Sequence, residues 1–278
     1  MADICITLPD NSLRTLPQGA TAADLAADIG PGLARDALIA VVNGQERDLS
    51  EVLIDGATVA IITPPSDQGL HTLRHSTAHV LAQAVLELWP GATYAIGPPI
   101  DHGFYYDFEL PEGGTFSQED LAAIDAKMRE IMDADQPFER GEATTDEAMA
   151  IFADHIYKRE IIEKVTAGGG DGELAAETGA DGTVSYYRNG EGFVDLCLGP
   201  HVPSTGRLGH FALQKVAGAY WRGDTTRPML QRIYGTAWAN KKDLKRHLQN
   251  LIEAEKRDHR RLAAELDLVS WPESLGPG

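Results

Sequence analysis

Two pairs of residues carry the side-chain types of a zinc site or a hydrolytic site. His75 and His79 are four residues apart within a helical pattern, and Cys197 and His201 are four residues apart farther along. On a helix this spacing places both imidazoles on one face, about 6 Å apart, where they can converge on one atom. Histidine nitrogens and a cysteine thiolate are typical ligands of four-coordinate zinc. Either pair alone is more often two unrelated polar residues, but together they predict one shared site.

Two ionisable residues are candidates for the same site. Asp195 lies two positions before Cys197 on a predicted strand, so the alternation of strand side chains places both on the same side. Lys158 lies in a charged helical segment, Tyr157–Glu160, where a lysine is by default solvated. Lys158 gains a functional role only if it is buried against the histidines.

The elements that position these residues follow from apolar periodicity and turn residues. After a linker over 64–69, a helix is predicted from about 70 to 89, ended by Pro90 and Gly91. A further helix is predicted over 146–165, followed by a glycine-rich loop over 168–182. Strands of one mixed sheet are predicted at 185–188, 193–196, 211–216 and 231–238.

The first 64 residues predict a small separate unit. Strand patterns, a capped helix and a final strand occur in the order ββαβββ, with a hairpin turn at Asn43–Gly44. This order within about 60 residues predicts a β-grasp, ubiquitin-like module. The fold class is therefore α+β, with a mixed α/β domain after the module and a long charged helix from residue 241 onward.

Composition excludes several classes of protein. The chain of 278 residues has a net charge of −18, two cysteines far apart, and no apolar run long enough for a membrane span. We therefore expect a cytoplasmic protein without disulfides and without a membrane role. The charge is uneven, because 207–232 holds five basic residues and one acid, and 241–261 holds eight basic residues and four acids. Such local fields, more than the total charge, govern contact with phosphates.

Two aromatic segments have two interpretations each. The segment 97–107, with Tyr105 and Asp107, is either a tight hairpin with an aromatic core or the wall of a pocket. In 217–224, which includes Tyr220 and Arg222, aromatic residues alternate with arginine. That pattern suits stacking on unpaired nucleotides, and buried aromatic residues of a sheet are the alternative.

Taken together, these motifs resemble the N-terminal region of the bacterial threonyl-tRNA synthetase family. The resemblance covers nearly the whole chain. It rests on the segments 74–79, 96–98 with 103–107, 195–203, 218–224, 230–238 and 257–261 with 266–268. It implies a TGS (β-grasp) module over 1–64, an editing domain over 65–240 and a linker helix over 241–278. The ATP-binding aminoacylation core and the anticodon domain would follow Gly278, so we expect no ligase activity from this chain.

The resemblance implies an aminoacyl-tRNA deacylase that hydrolyses mischarged Ser-tRNA(Thr) at the 3′-terminal adenosine. It implies catalytic roles for His75, Lys158, Asp195 and His201. Substrate contacts are expected from His79, Cys197, Tyr105, Asp107, Tyr220 and Arg222. The expected partner is the acceptor end of tRNA(Thr). The family enzyme is expected to dimerise through its core, which leaves this chain monomeric.

The cofactor prediction is that no metal is required, although His75, His79, Cys197 and His201 form a candidate zinc ligand set. Two other functions compete with editing. A zinc-dependent hydrolase of small molecules would contain stoichiometric metal and would show no salt-sensitive affinity for RNA. A non-catalytic tRNA-binding module would bind tRNA tightly without cleaving the ester.

Overall fold

The computed structural model describes residues 2–166, 183–190 and 192–257. The N-terminal module has the predicted order of strands, but two helices occupy the place of the single helix that was predicted. The elements are β1 (Asp3–Thr7), β2 (Leu13–Pro17), α1 (Ala22–Ile29), α2 (Pro31–Asp36), β3 (Ile39–Val42), β4 (Gln45–Asp48) and β5 (Val59–Ile62). β1 pairs with β2, and β3 lies between β4 and β5, all in antiparallel register. The predicted α+β class is confirmed.

Local sequence signals explain this module. Thr21 begins α1 through a capping box with Asp24, in which each side chain bonds the other residue's backbone N–H. The helix buries Leu25 and Ala26 against the strands. The predicted turn joins β3 to β4, and both its residues, Asn43 and Gly44, have positive φ.

The second part is built around a long central helix, α3 (Asp67–Leu88). The helix begins where the Ser66 hydroxyl accepts a hydrogen bond from the Gly69 N–H at 3.0 Å. The prediction of a linker over 64–69 was therefore wrong in its second half, because Ser66 caps the helix three residues earlier than expected. Between Thr72 and Val85 nearly every side chain is buried, polar ones included.

The predicted single mixed sheet was also wrong, because its strands belong to two antiparallel sheets. The strands are β6 (Thr93–Tyr94), β7 (Pro99–Ile100), β8 (Gly103–Glu109), β9 (Phe138–Ala143), β10 (Val184–Asn189), β11 (Phe193–Leu196), β12 (His210–Tyr220) and β13 (Met229–Trp238). One sheet has the order β12-β13-β8-β6, with β7 also paired to β8, and the other has the order β11-β10-β9. The helix α3 packs on β8 and β13 of the first sheet.

The remaining helices flank these sheets. They are α4 (Gln118–Asp133), α5 (Thr145–Ile151), α6 (Ile156–Thr166) and α7 (Lys241–Lys256), with short 3-10 turns at Pro111–Gly113, Thr205–Arg207 and Trp221–Gly223. The helix predicted over 146–165 is thus two helices, separated at 152–155. The loop predicted over 168–182, and the end of the helix expected beyond 257, lie outside the described residues. Among the described residues, no helix is long and apolar enough to span a membrane.

Candidate functional site

The central helix supplies the first half of the candidate site. His75 and His79 lie one turn apart on α3, with ring centroids 5.2 Å apart. His79 is buried, whereas His75 is only partly covered. This arrangement is the one that the spacing of four residues predicts, and it leaves His75 as the more accessible imidazole of the pair.

A backbone corner after β11 supplies the second half. Gly199 has a φ of +72°. An added Cβ there would lie 2.0 Å from the hydroxyl of Tyr187, so the corner requires glycine at this position. The turn directs Cys197 and His201 back toward α3, and both side chains are buried.

The two halves meet, as the sequence predicts. The Cys197 Sγ lies 3.3 Å from the Nε2 atoms of both His75 and His201. The ring of His201 stands 4.3 Å from that of His75 and 4.2 Å from that of His79, centroid to centroid. Residues 122 positions apart in sequence therefore form one cluster, which we call the His/Cys cluster (His75, His79, Cys197 and His201).

A buried ion pair lies beside the His/Cys cluster. Lys158 on α6 and Asp195 on β11 each expose only 2% of their side chains, and the Nζ–Oδ1 distance is 2.6 Å. The other carboxylate oxygen lies 3.5 Å from the Nε2 of His79, which joins the pair to the cluster. Lys158 is therefore not the solvated lysine of the default interpretation.

Tyr106 completes this buried network. Its hydroxyl donates to the Asp195 Oδ2 at 2.5 Å and accepts from the Lys158 Nζ at 3.2 Å. Both bonds to ionised groups are of the stronger, charge-assisted kind. The sequence interpretation selected the neighbours Tyr105 and Asp107 instead of Tyr106. Strand alternation in β8 separates Tyr106 from Tyr105 and Asp107, but it does not tell which of the two sets faces Asp195.

Burial keeps the imidazoles neutral. Desolvation lowers the pKa of His75 to about 3, with smaller contributions from His79 and His71. Desolvation, and then Lys158, lower the pKa of His79 to about 3. The pKa of His201 falls well below its usual value, first through burial and then through the other two histidines. Neutral imidazoles can accept a proton or bind a metal, and both chemistries need that state.

Ser76 holds His201 from the side of its Nδ1 atom. The Ser76 Oγ accepts from the Val202 N–H at 3.2 Å and lies 2.9 Å from the His201 Nδ1. A serine hydroxyl can donate one hydrogen bond and accept two, so both tautomers of His201 satisfy this contact. Sequence reasoning had no means of finding Ser76, because a buried serine on a helix has no distinguishing pattern.

The His/Cys cluster has the composition and approximate size of a zinc site. The candidate ligand atoms all lie within 4.8 Å of one another. Ligands of a tetrahedral zinc ion are about 3.3–3.8 Å apart, given metal–ligand distances of about 2.0–2.3 Å. The two Sγ–Nε2 distances fit this range, and the widest separation requires a closure of about 1 Å. The residues therefore form a group that can hold a metal ion.

The other predicted substrate contacts lie in two further places, on β8 and at the end of β12. Asp107 pairs with Arg232 through two hydrogen bonds of 2.7 and 2.8 Å, and the Arg232 guanidinium stands 3.8 Å from the Tyr105 ring centroid. Tyr220 is exposed at the end of β12, and the Arg222 guanidinium lies over the Trp221 ring. A role of these residues in substrate binding stays a prediction.

Comparison with known families assigns two domains to the chain. Residues 4–63 match the TGS domain, and residues 184–234 match the "Threonyl and Alanyl tRNA synthetase second additional domain". The second match includes Asp195, Cys197 and His201, whereas the histidines of α3 and Lys158 lie outside it. The predicted β-grasp fold of the N-terminal module is thereby confirmed.

The curated relatives that the chain matches include several threonine–tRNA ligases. The threonine–tRNA ligase of Rubrobacter xylanophilus is 49% identical over 274 residues, which is 98% of this chain and 40% of the relative. Those of Maricaulis maris and Acidithiobacillus ferrooxidans are 51% and 52% identical over 97% and 98% of the chain, and again 40% of each relative is covered. The chain is homologous to the N-terminal region of threonyl-tRNA synthetase, and it spans about 40% of the length of these relatives.

Proposed function

We propose that this chain is the proofreading region of a threonyl-tRNA synthetase and hydrolyses Ser-tRNA(Thr). The observation that carries this proposal is the junction of the His/Cys cluster with the buried Lys158–Asp195 pair, inside the domain type shared by threonyl- and alanyl-tRNA synthetases. The proposed division of the chain is a TGS module over 1–64, an editing domain over 65–240 and a linker helix over 241–278.

The proposed reaction is hydrolysis of the seryl ester. A water oxygen attacks the ester carbonyl carbon, the bond to the ribose oxygen breaks, and a proton moves from the water to that oxygen. His75 is the partly accessible imidazole of the cluster, so it is the one placed to contact the water and take its proton. Lys158 belongs to the adjoining buried network with Asp195 and Tyr106, and its role in this proposal is to position the water. The released products are serine and tRNA(Thr).

Asp195 and His201 orient the substrate in this proposal. The Asp195 carboxylate lies beside the His/Cys cluster, 3.5 Å from the Nε2 of His79, and is the negative charge there that can attract the seryl amine. His201 is held from two sides by Ser76 and by the corner, so it can orient the terminal ribose without moving. In the zinc-dependent alternative, an ion held by the His/Cys cluster would instead supply Lewis-acid polarisation of a carbonyl group.

Discrimination energetics explain the need for such a site. Serine and threonine differ by one methyl group, which is worth only about 1–3 kcal/mol in a binding pocket, so a synthetic site charges some serine. A second site without room for that methyl group admits the seryl ester alone. The tRNA acceptor end is the proposed partner, and α7, which begins with Lys241 and Lys242, supplies basic side chains for phosphate contact.

The test is deacylation of Ser-tRNA(Thr) by the whole chain, with and without a chelator. We expect hydrolysis of Ser-tRNA(Thr), little hydrolysis of Thr-tRNA(Thr), and retained activity in chelator. Loss of all activity in chelator would support a zinc mechanism, and tight tRNA binding without cleavage would support the non-catalytic alternative.

A pair of histidine variants separates catalysis from binding. His75→Ala should abolish hydrolysis and leave tRNA affinity nearly unchanged, because it removes the proton acceptor. His71→Ala is the matched control, since His71 lies one turn earlier on the same helix and is exposed. Wild-type turnover in His75→Ala would remove this residue from its proposed role.

A further inference from the structure

One side chain of the N-terminal module extends into the corner that carries Cys197 and His201. Asp48, the last residue of β4, accepts a hydrogen bond from the His201 backbone N–H through Oδ1 at 2.9 Å. Its Oδ2 accepts from the Tyr187 hydroxyl at 2.6 Å. Both carboxylate oxygens of Asp48 thus accept hydrogen bonds from the second domain, from residues 153 and 139 positions away in sequence.

Tyr187 transmits this contact to the His/Cys cluster. Its ring stands edge-on to the His201 imidazole, with centroids 4.5 Å apart. The same ring lies against Gly199, whose backbone passes too close for any side chain. Asp48 therefore fixes the corner at two points, directly at the His201 amide and indirectly through the Tyr187 ring.

The contact belongs to a docked interface between the two parts of the chain. Leu38 of the module is buried in the same apolar cluster as Leu73 and Leu81 of α3. The Arg207 guanidinium donates to the Ala34 carbonyl at 3.3 Å. These contacts fix the module against the second domain next to β3, whose Ile39 pairs with Asp48. The backbone of Asp48 is therefore held in place by packing.

The carboxylate is costly to place at this interface. Burial raises the pKa of Asp48, and the hydrogen bonds from Tyr187 and His201 oppose that effect. Both hydrogen bonds that its carboxylate accepts come from the second domain, so they act on the corner, whereas Arg140 and Arg47 contribute through their charges.

We propose that the TGS module supplies Asp48 as a positioning residue of the deacylation site, holding His201 and Tyr187 in the geometry that hydrolysis needs. This inference rests on the proposed editing function and assigns the module a role within it. Misplacement of a reacting group by about 1 Å can reduce a rate about 100-fold. The module is thereby required for the rate of hydrolysis.

The test compares substitutions within the whole chain. In Asp48→Ala both hydrogen bonds are lost, and we expect kcat for Ser-tRNA(Thr) to fall about 10- to 100-fold while KM changes less than about twofold. Asp48→Asn keeps an oxygen that can accept from the His201 N–H, so it should restore most of the rate. Tyr187→Phe removes one of the two bonds and should lie between wild type and Asp48→Ala.

Asp55→Ala is the matched control. Asp55 is another aspartate of the same module and accepts from the Cys5 N–H at 2.8 Å, away from the second domain. Its loss should leave kcat unchanged. Equal losses in Asp55→Ala and Asp48→Ala, or a kcat for Asp48→Ala within twofold of an active wild type, would overturn the inference.

A second measurement is independent of activity. Amide signals in NMR spectra report the hydrogen bond from the His201 N–H, which should lose protection from hydrogen exchange in Asp48→Ala but not in Asp55→Ala. If the wild-type chain does not hydrolyse Ser-tRNA(Thr), the editing function fails, whatever the exchange data show. Unchanged His201 protection in Asp48→Ala overturns the positioning role, whatever the wild-type activity.

Discussion

The buried pair of Lys158 and Asp195 allows a quantitative test of the electrostatics of the site. Each side chain is 2% exposed, and the charges are separated by 2.6 Å. Asp195→Asn removes the negative charge and leaves the ammonium group of Lys158 buried without compensation. Removing one partner of a buried ion pair lowers the free energy of unfolding by about 3–5 kcal/mol. That loss is a large share of the roughly 5–15 kcal/mol that stabilises an ordinary domain.

Urea unfolding measures this cost as a change in the free energy of unfolding. The double variant Asp195→Asn with Lys158→Met removes both charges, so we expect it to be more stable than the sum of the two single losses predicts. Asp125→Asn is the control, because its i,i+4 pair with Arg129 is largely exposed and should contribute at most about 1 kcal/mol. A cost for Asp195→Asn no larger than that of the control would refute the reasoning.

Three further predictions concern the His/Cys cluster. Ser76→Ala should cost about 1–3 kcal/mol, measured by urea unfolding, because the His201 Nδ1 and the Val202 N–H lose their common partner. In metal-free protein the pKa values of His75 and His79 are lowered to about 3, so between about pH 6.5 and pH 3 these two histidines gain protons in the unfolded chain but not in the folded one. Stability should therefore fall by about 1.4 kcal/mol per pH unit for each buried histidine as pH decreases toward 3, and a flat profile would contradict these pKa values. Added zinc should raise the melting temperature but reduce deacylation, because a nitrogen of His75 bound to metal cannot accept a proton.

The local part of the site was predictable from the sequence. The spacing of His75 and His79 determines a shared helix face, and the Gly–Pro turn after Cys197 excludes a helix there. Both inferences use only neighbours in the chain. Their meeting in one cluster was expected from ligand chemistry, and the geometry agrees with that expectation.

The residues that sequence reasoning missed depend on contacts between distant segments. The choice of Tyr106 over Tyr105 depends on which face of β8 is turned toward Asp195, and the sequence of β8 is aromatic on both faces. Asp48 lies in a polar strand of the first module, and its partners are more than 130 residues away. The start of α3 was missed because Ser66 follows two prolines, which favoured a linker over a helix cap.

The hydrogen bonds at Cys197 bear on the role of the sulfur atom. Its Sγ lies 3.2 Å from the Gly199 N–H and 3.3 Å from the Nε2 of His201, which carries the ring proton when Ser76 donates to Nδ1. The Gly199 N–H donates to the sulfur atom and holds it at the corner, and the His201 Nε2 is a second donor in the tautomer that carries its proton there. Metal binding at this imidazole requires the other tautomer, with the proton on Nδ1 facing the Ser76 Oγ, which can accept it. The same hydrogen-bonded frame therefore serves proton transfer and metal binding, and the tautomer of His201 distinguishes the two.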